Sequence, residues 1–299
     1  MSRPRFALVA AAALGLFAGA QTPATVHIGL FGPDNLGFDA AGQVYLIDTD
    51  HAARSRILKL TPDGKVLADW RVFSAAPGRN NGPNDIALGP SGNVYVNDAG
   101  TGSLLKILPT GVAAVFAASV PPPAHVTVAR GGDLYLAEAP ANRILKLSAS
   151  GRLLAAWHRA RGKASNQWNQ PQTVSTLSSG DILVDDWGND RIEILSPAGA
   201  TLRIFRAAGE PDGPLVSNSG VFVDTHDHIW VADYQHPRVK ELSASGRLLR
   251  VVANTPGDTI FEHTPSSIAV DSAGNIYCAD GAQSVVKFTA SGRVLARWR

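Results

Sequence analysis

The stretch Gly180-Asp181-Ile182-Leu183-Val184-Asp185-Asp186-Trp187-Gly188-Asn189-Asp190-Arg191-Ile192-Glu193-Ile194-Leu195 (residues 180–195), with Gly199 beyond it, decides how the rest of the chain is read. Two short runs of β-branched and leucine residues flank a turn rich in Gly, Asn and Asp, which is the pattern of a β-hairpin. An acid, Asp186, closes the first run, Arg191-Ile192 opens the second, and Gly199 follows Leu195 by four residues.

The same grammar recurs along the chain, and internal repeats outrank any local reading. Its other copies are Gly42, Tyr45, Asp48, Arg56-Ile57, Leu60, Gly64; Gly92, Tyr95, Asp98, Ile107, Gly111; Gly132, Tyr135, Glu138, Arg143-Ile144, Leu147, Gly151; Asp227 in place of Gly, Trp230, Asp233, Arg238-Val239, Leu242, Gly246; and Gly274, Tyr277, Asp280, Val285, Phe288, Gly292. Successive acids stand 50, 40, 48, 47 and 47 residues apart. Each copy reads as four short strands: an inner one after a Pro (Pro83 to Leu88), a second ending on the acid, a third such as Arg56 to Leu60, and a fourth ending at residues such as Trp70. A four-stranded sheet of this size cannot bury both faces alone, and radial stacking of such sheets makes a propeller. The expectation is therefore all-β, a six-bladed β-propeller of four-stranded antiparallel blades. The late glycines, Gly64, Gly111, Gly151, Gly199, Gly246 and Gly292, are expected in the turns between third and fourth strands, at positive φ. Thr25 to Phe31 supplies a seventh outer-strand pattern and is expected to cover an edge beside the last blade.

Residues 1–20 carry a different signal. Arg3 and Arg5 precede an uncharged run, Phe6 to Ala18, and then Ala18-Gly19-Ala20. This predicts a signal peptide over 1–20 and a propeller over 21–299 in a secreted or periplasmic protein. The apolar run falls short of the ~20 residues that span a bilayer. Without residues 1–20 the basic and acidic side chains balance at 25 each, and no basic run follows residue 21, so the expected partners include no nucleic acid and no membrane span. Cys278 is the single cysteine and stands in an apolar strand, which predicts a buried thiol and excludes an intrachain disulfide.

Val184 to Ile192 and Val231-Ala232-Asp233-Tyr234-Gln235-His236-Pro237-Arg238-Val239 resemble the NHL repeat, and the resemblance covers residues 33–299. It implies a six-bladed propeller, a fold that serves both binding platforms and enzymes. Pro33-Asp34-Asn35-Leu36 and Arg79 with Pro83-Asn84-Asp85 are similar to metal-binding stretches of gluconolactonase-like propellers, whose early Glu ligand has no counterpart here. Peptidyl-hydroxyglycine amidating lyases carry zinc-binding His just after the corresponding Pro. No His holds that position in this chain, and His125 stands one residue later.

Candidate site residues follow from the inner-strand starts, which converge at the channel mouth. The first residues there read Asp34, Asn84, Ala124, Gln172, Ser219 and Ser266, and the next Asn35, Asp85, His125, Thr173, Gly220 and Ser267. Asp34, Asn84 and Gln172 offer oxygens suited to Ca²⁺; the alternative is ordinary polar lining. Asp48, Glu138, Asp186 and Asp233 each have an Arg five to eight residues on, which reads as an acid–Arg pair within each blade. Asn97 and Asp185 are polar where other blades hold Ile47, Ala137, Ala232 and Ala279, so each is either a site residue or a satisfied structural group. Trp187, Tyr234, His236 and Trp168 fall in mouth-side loops and suit carbohydrate or peptide contact, Trp168 reading equally as a core cap. His226-x-His228 reads as a solvated turn on the opposite face. There is no Gly-x-Ser-x-Gly elbow and no phosphate loop. The functional expectation is a module binding a small molecule, carbohydrate or protein at the channel mouth; the alternative is a metal-dependent lactonase or lyase-like enzyme using the channel.

Overall fold

A computed structural model describes residues 24–49, 54–71, 82–118, 124–206, 218–233, 236–256, 259–281 and 283–299. The segment 1–20, Arg79 and Tyr234 lie outside the described residues. A short first strand, β1 (Ala24–Val26), precedes blade 1, made of β2 (Pro33–Phe38), β3 (Val44–Thr49), β4 (Ser55–Leu60) and β5 (Val66–Trp70). Blade 2 is β6 (Pro83–Leu88), β7 (Val94–Asp98), β8 (Ser103–Ile107) and β9 (Ala113–Ala118). Blade 3 is β10 (Ala124–Val128), β11 (Leu134–Glu138), β12 (Arg143–Leu147) and β13 (Leu153–His158). Blade 4 is β14 (Pro171–Thr176), β15 (Ile182–Asp186), β16 (Arg191–Leu195) and β17 (Thr201–Phe205). Blade 5 is β18 (Asn218–Val223), β19 (Ile229–Asp233), β20 (Arg238–Leu242) and β21 (Leu248–Ala253), and blade 6 is β22 (Ser267–Val270), β23 (Asn275–Ala279), β24 (Val285–Thr289) and β25 (Val294–Trp298). Pairing within each blade is antiparallel and sequential. The inner strands touch in the order β2, β6, β10, β14, β18, β22 and back to β2, so the six blades close a ring. Among the described residues helix is confined to two 3₁₀ turns, Ala139–Ala141 and Trp187–Asn189, and no helix is long and apolar enough to cross a membrane.

The ring closes without exchanging a strand between the two ends of the chain. Blade 6 takes its four strands from residues 267–298, and β1 adds to its outer edge in parallel, Ala24 opposite Ala296 and Val26 opposite Trp298. The edge-covering strand expected over Thr25 to Phe31 is shorter than that. After Val26 the chain turns inward, Ile28 and Gly29 donating to the Arg299 carbonyl and Phe31 and Gly32 donating to Asp48 at 2.7 and 2.9 Å.

The six late glycines occupy the expected turns, with φ between 85° and 90°. Their small size does further work. A Cβ on Gly111 would lie 2.9 Å from the Trp70 indole of blade 1, one on Gly199 would overlap Trp157 of blade 3, and one on Gly64 would lie 2.6 Å from Trp298 of blade 6. In five of the six junctions the turn glycine thus sits against an aromatic of the preceding blade's outer strand (Trp70, Phe116, Trp157, Phe205, Trp298); at the junction of blades 5 and 6, Val252 and Ile260 take that place. Asp227, which replaces Gly in the fifth copy, takes the left-handed conformation itself at φ 62°. The core is divided among the junctions: Tyr45 and Ile47 pack with Val94 and Val96, and Leu183 and Ile192 with Val221 and Val231. Cys278 is buried at one of these junctions, and burial raises its thiol pKa.

Gly199→Ala adds left-handed strain and an overlap with Trp157, for an expected loss of about 3 kcal/mol. Gly274→Ala, at φ 79° with nothing within 4 Å of the new Cβ, is expected to lose about 1 kcal/mol from strain alone. Urea unfolding of the two variants checks this, and equal losses would remove the contact role of the turn glycine.

Candidate functional site

The acids that end the second strands tie loops to blades. Asp48 accepts from Phe31 and Gly32 amides on one oxygen and from Arg56 Nε at 2.8 Å on the other. Asp186 accepts from the Asn169 amide at 2.7 Å and from Arg191 Nε at 2.8 Å. Asp233 pairs with Arg238 at 2.7 Å and Glu138 with Arg143. In blade 6 no Arg opens the third strand, and Arg297 of β25 reaches Asp280 at 3.1 Å instead, beside the Glu262 and His263 amides. In blade 2 Asp98 takes the Gly100 amide and the Thr101 hydroxyl. In blades 1, 4 and 6 the carboxylate thus holds the segment that leads into the inner strand, in blade 2 it holds its own turn, and in blades 3 and 5 it pairs with the Arg that opens the third strand, which accounts for the repetition of the acid.

With the inner-strand starts held, a central cavity of about 570 Å³ opens between the blades, and Asp34, Asn84, Asp85, His125 and Gln172 all line it. Register explains how. In blade 2 Pro83 pairs with Asp98 and Asp85 with Asn97, leaving Asn84 as a bulged residue, and in blade 4 Gln172 is bulged between Pro171 and Thr173 in the same way. A bulge re-aims a side chain that regular pairing would turn elsewhere. The far end of the cavity is apolar, with Phe38, Leu88 and Val128.

The second ring of residues stitches neighbouring blades. Asp85 is buried; Asn35 of blade 1 donates to one carboxylate oxygen and the Val126 amide of blade 3 to the other. Burial pushes its pKa well up, and the negative charge of Asp34 adds to the rise, so the carboxyl is held toward its neutral form. His125 Nδ1 accepts the Val174 amide of blade 4 at 3.4 Å, which assigns the ring proton to Nε2. Burial lowers the His125 pKa to about 4. Its contact with Asp85, 3.7 Å from Nδ1, is therefore no charge pair.

The remaining candidates do not reach the cavity. Asp185 is buried one strand outward, opposite Thr173 and Ile192, on the side of blade 4 turned to blade 5. The face that blade 5 turns back carries Lys240, buried and directly opposite Val231. Asp185 is thus a polar group of a blade junction. Sequence reasoning missed Lys240, although a signal existed: the third-strand position it occupies holds Leu58, Leu105, Leu145 and Val286 in four blades, and Glu193 and Lys240 in blades 4 and 5. Glu193 has its own partners, Arg159 at 2.8 Å and Arg191 at 2.7 Å. Trp187 opens a 3₁₀ turn, half-buried and away from the cavity lining. Trp168 is wholly buried, a core cap with Arg159 stacked on it at 4.3 Å. His236 lies 3.2 Å from Asp233, and His228 lies 2.9 Å from Glu241 in the turn that also holds His226. Among the described residues no group of three or more His, Cys, Asp or Glu side chains is placed to hold a metal ion.

No family model matches the chain. A human relative, NHL repeat-containing protein 3, is 25% identical over 260 residues, spanning 78% of this chain and 72% of the relative. The chain is a six-bladed propeller whose repeats are similar to the NHL type. Solved structures share its fold. A gluconolactonase from Xanthomonas campestris superposes with a TM-score of 0.64 at 17% identity, covering 87% of this chain and 86% of the other. The virginiamycin B lyase of Staphylococcus aureus gives 0.62 at 16% identity, covering 88% and 83%. At that identity the likeness speaks for the NHL propeller's architecture alone.

The neutral His125 has a pH consequence. Its folded pKa, about 4, lies below the ordinary 6.5, so the unfolded chain binds the extra proton between those values and stability falls as pH drops through that window. Asp85 runs the other way, its raised pKa favouring the folded state at low pH. His125→Asn keeps an acceptor for Val174 and removes the imidazole. With 26% of the His125 side chain exposed, the stability lost between about pH 7 and about pH 4.5 should shrink in this variant by on the order of 1–2 kcal/mol. Urea unfolding at both pH values reads this out.

Proposed function

We propose that this NHL-type propeller is a binding module that takes a neutral, hydroxyl-rich small molecule, of which a sugar is the type, into the polar end of its channel. The observation that carries the reading is the character of the cavity: about 570 Å³, with Asn84, Gln172 and Ser266 at the mouth beside a neutral imidazole and a carboxyl held toward its neutral form. Apart from the Asp34 carboxylate, such a wall offers many hydrogen-bond donors and acceptors and little charge, which suits a ligand of the same kind. Residues 1–20 fit the same reading as a leader that delivers the propeller to a periplasmic or extracellular space. Calorimetric titration with neutral mono- and oligosaccharides, with anionic and cationic sugars as controls, should give binding by neutral members. Asn84→Ala and Gln172→Ala should each weaken it about tenfold, the worth of one well-placed hydrogen bond, while His226→Ala on the opposite face should leave it unchanged. Preference for charged ligands, or indifference to both cavity variants, would reject the reading.

A second reading, a metal-dependent lactonase or lyase-like enzyme, is favoured by one feature: the charge of Asp34 bears on Asp85 at the mouth, a tension that a cation would relieve. The available donors, one carboxylate with the Asn84 and Gln172 amides, suit a hard cation such as Ca²⁺ and not zinc. On this reading Ca²⁺ at a hundredfold excess over its Kd stabilises the fold by about 2.7 kcal/mol, and Asp34→Ala abolishes the effect. A melting temperature indifferent to Ca²⁺, Mg²⁺ and Zn²⁺ leaves the binding module alone.

A further inference from the structure

The outer edges of the six blades are not equivalent. β25 of blade 6 is covered by β1, which shows that an outer edge of this ring accepts an added strand. Among the described residues the other five outer strands, β5, β9, β13, β17 and β21, each end their sheet. Four of them carry an ionisable side chain within the strand: Asp69, His158, Arg203 and Arg250. Charges on edge strands are the usual guard against edge-to-edge pairing. β9 carries none. Gly111-Val112-Ala113-Ala114-Val115-Phe116-Ala117-Ala118 has no charge and no Pro, the composition of a strand that pairs readily. Val112 and Val115 are 60% and 62% exposed, the two highest values among the large apolar side chains of the described residues.

We infer that the blade 2 edge is a self-association surface, on which β9 of one copy pairs antiparallel with β9 of a second copy about a two-fold axis. Charge selects this occupant. A two-fold pairing lays a strand beside its own copy, so a charge near the axis faces its own copy, and directly opposed like charges destabilise a sheet. Among these five edges that cost is absent at β9 and present at β5, β17 and β21, which carry Asp69, Arg203 and Arg250; β13 ends on His158, and its Leu153 and Leu154 are less exposed than Val112 and Val115. The Ala and Val side chains are small enough for close approach, and their exposed apolar area is covered in the dimer. Because β9 is the strand farthest from the channel in its blade, the dimer leaves both channel mouths open. The association is therefore independent of what the channel binds.

Sedimentation velocity of the full chain over about a hundredfold range of concentration tests this by mass action. Wild type is expected to show a reversible monomer–dimer equilibrium. Val115→Lys and Val112→Lys each place two like charges in the ribbon and should raise the dimer dissociation constant by at least about tenfold. Leu202→Lys, at an exposed site on β17 beside Arg203, should leave it unchanged. Circular dichroism and thermal unfolding establish that each variant is folded, and the second lysine variant stands in if the first is not. A wild type that stays monomeric, a dimer that survives both lysine variants, or a dimer lost in Leu202→Lys would each overturn the inference.

Discussion

The structure depends on the contact between a turn glycine and an aromatic of the preceding blade's outer strand. A four-stranded sheet has two apolar faces, and each face finds cover only on a neighbouring blade. Stacking alone would leave the angle between blades free to vary. An indole or phenyl ring lying on a Cβ-less turn sets that angle, because any side chain there would push the sheets apart. The contact runs from Trp70 to Gly111, Phe116 to Gly151, Trp157 to Gly199 and Phe205 to Gly246, and Trp298 to Gly64 joins the last blade to the first. That last contact closes the ring, so the sixth blade ends where the first begins its outer turn. β1 then seals the outside of the seam, where Arg299 donates its amide to the Val26 carbonyl at 2.9 Å.

Once the ring is fixed, the acids at the ends of the second strands determine what the channel mouth looks like. Four of them take amides from the incoming segment or turn, and in five blades the acid takes a guanidinium from the third or fourth strand. The lead-in to an inner strand is thereby held by charge-assisted bonds at 2.7–3.1 Å in blades 1, 4 and 6. The side chains just beyond that clamp in blades 1 and 4, Asp34 and Gln172, consequently start from defined backbone positions. Preorganisation of this kind lowers the ordering cost of binding. Most guanidinium groups near the mouth are taken up by the clamps, and this leaves a channel mouth whose polarity is carried by the Asp34 carboxylate together with amides, hydroxyls and an uncharged imidazole.

The repeat was legible because its signals are local: turn glycines, the acid, and the strand alternation all lie within one copy. Even the exception at Asp227 could be read, since its place in the alignment demanded a left-handed residue and Asp is among the few side chains that tolerate one. The convergence of Asp34, Asn84, Asp85, His125 and Gln172 was legible for the same reason, by alignment on the inner-strand start. Asp185 was not. Its polarity was visible as a departure from the repeat, but its place at a blade junction, whose facing sheet carries Lys240 some 55 residues later in the sequence, was not. Arg297 was equally hidden, because blade 6 moved its guanidinium from the third strand to the fourth. Contacts between copies leave no mark in the register of a single copy, so the site's outer limits could be drawn only once the blades were stacked.

These departures separate two kinds of residue. What all the blades share holds the ring, and what differs between them gives the ring a direction. At the second mouth position blades 1 to 3 place Asn35, Asp85 and His125, each bonded to the next blade, at Asp85, the Val126 amide and the Val174 amide respectively. Blade 5 places Gly220, which offers no side chain to its neighbour, and blade 6 the small Ser267. One arc of the mouth is therefore stitched by side chains, and the other carries only Gly and Ser at this position. A symmetric ring would offer a ligand six equal orientations, whereas this one offers large hydrogen-bonding side chains on one side and Gly and Ser on the other. A ligand with one polar edge and one narrow edge can sit in such a mouth in a single way, and an oriented complex is what a propeller needs whether it holds its ligand or acts on it.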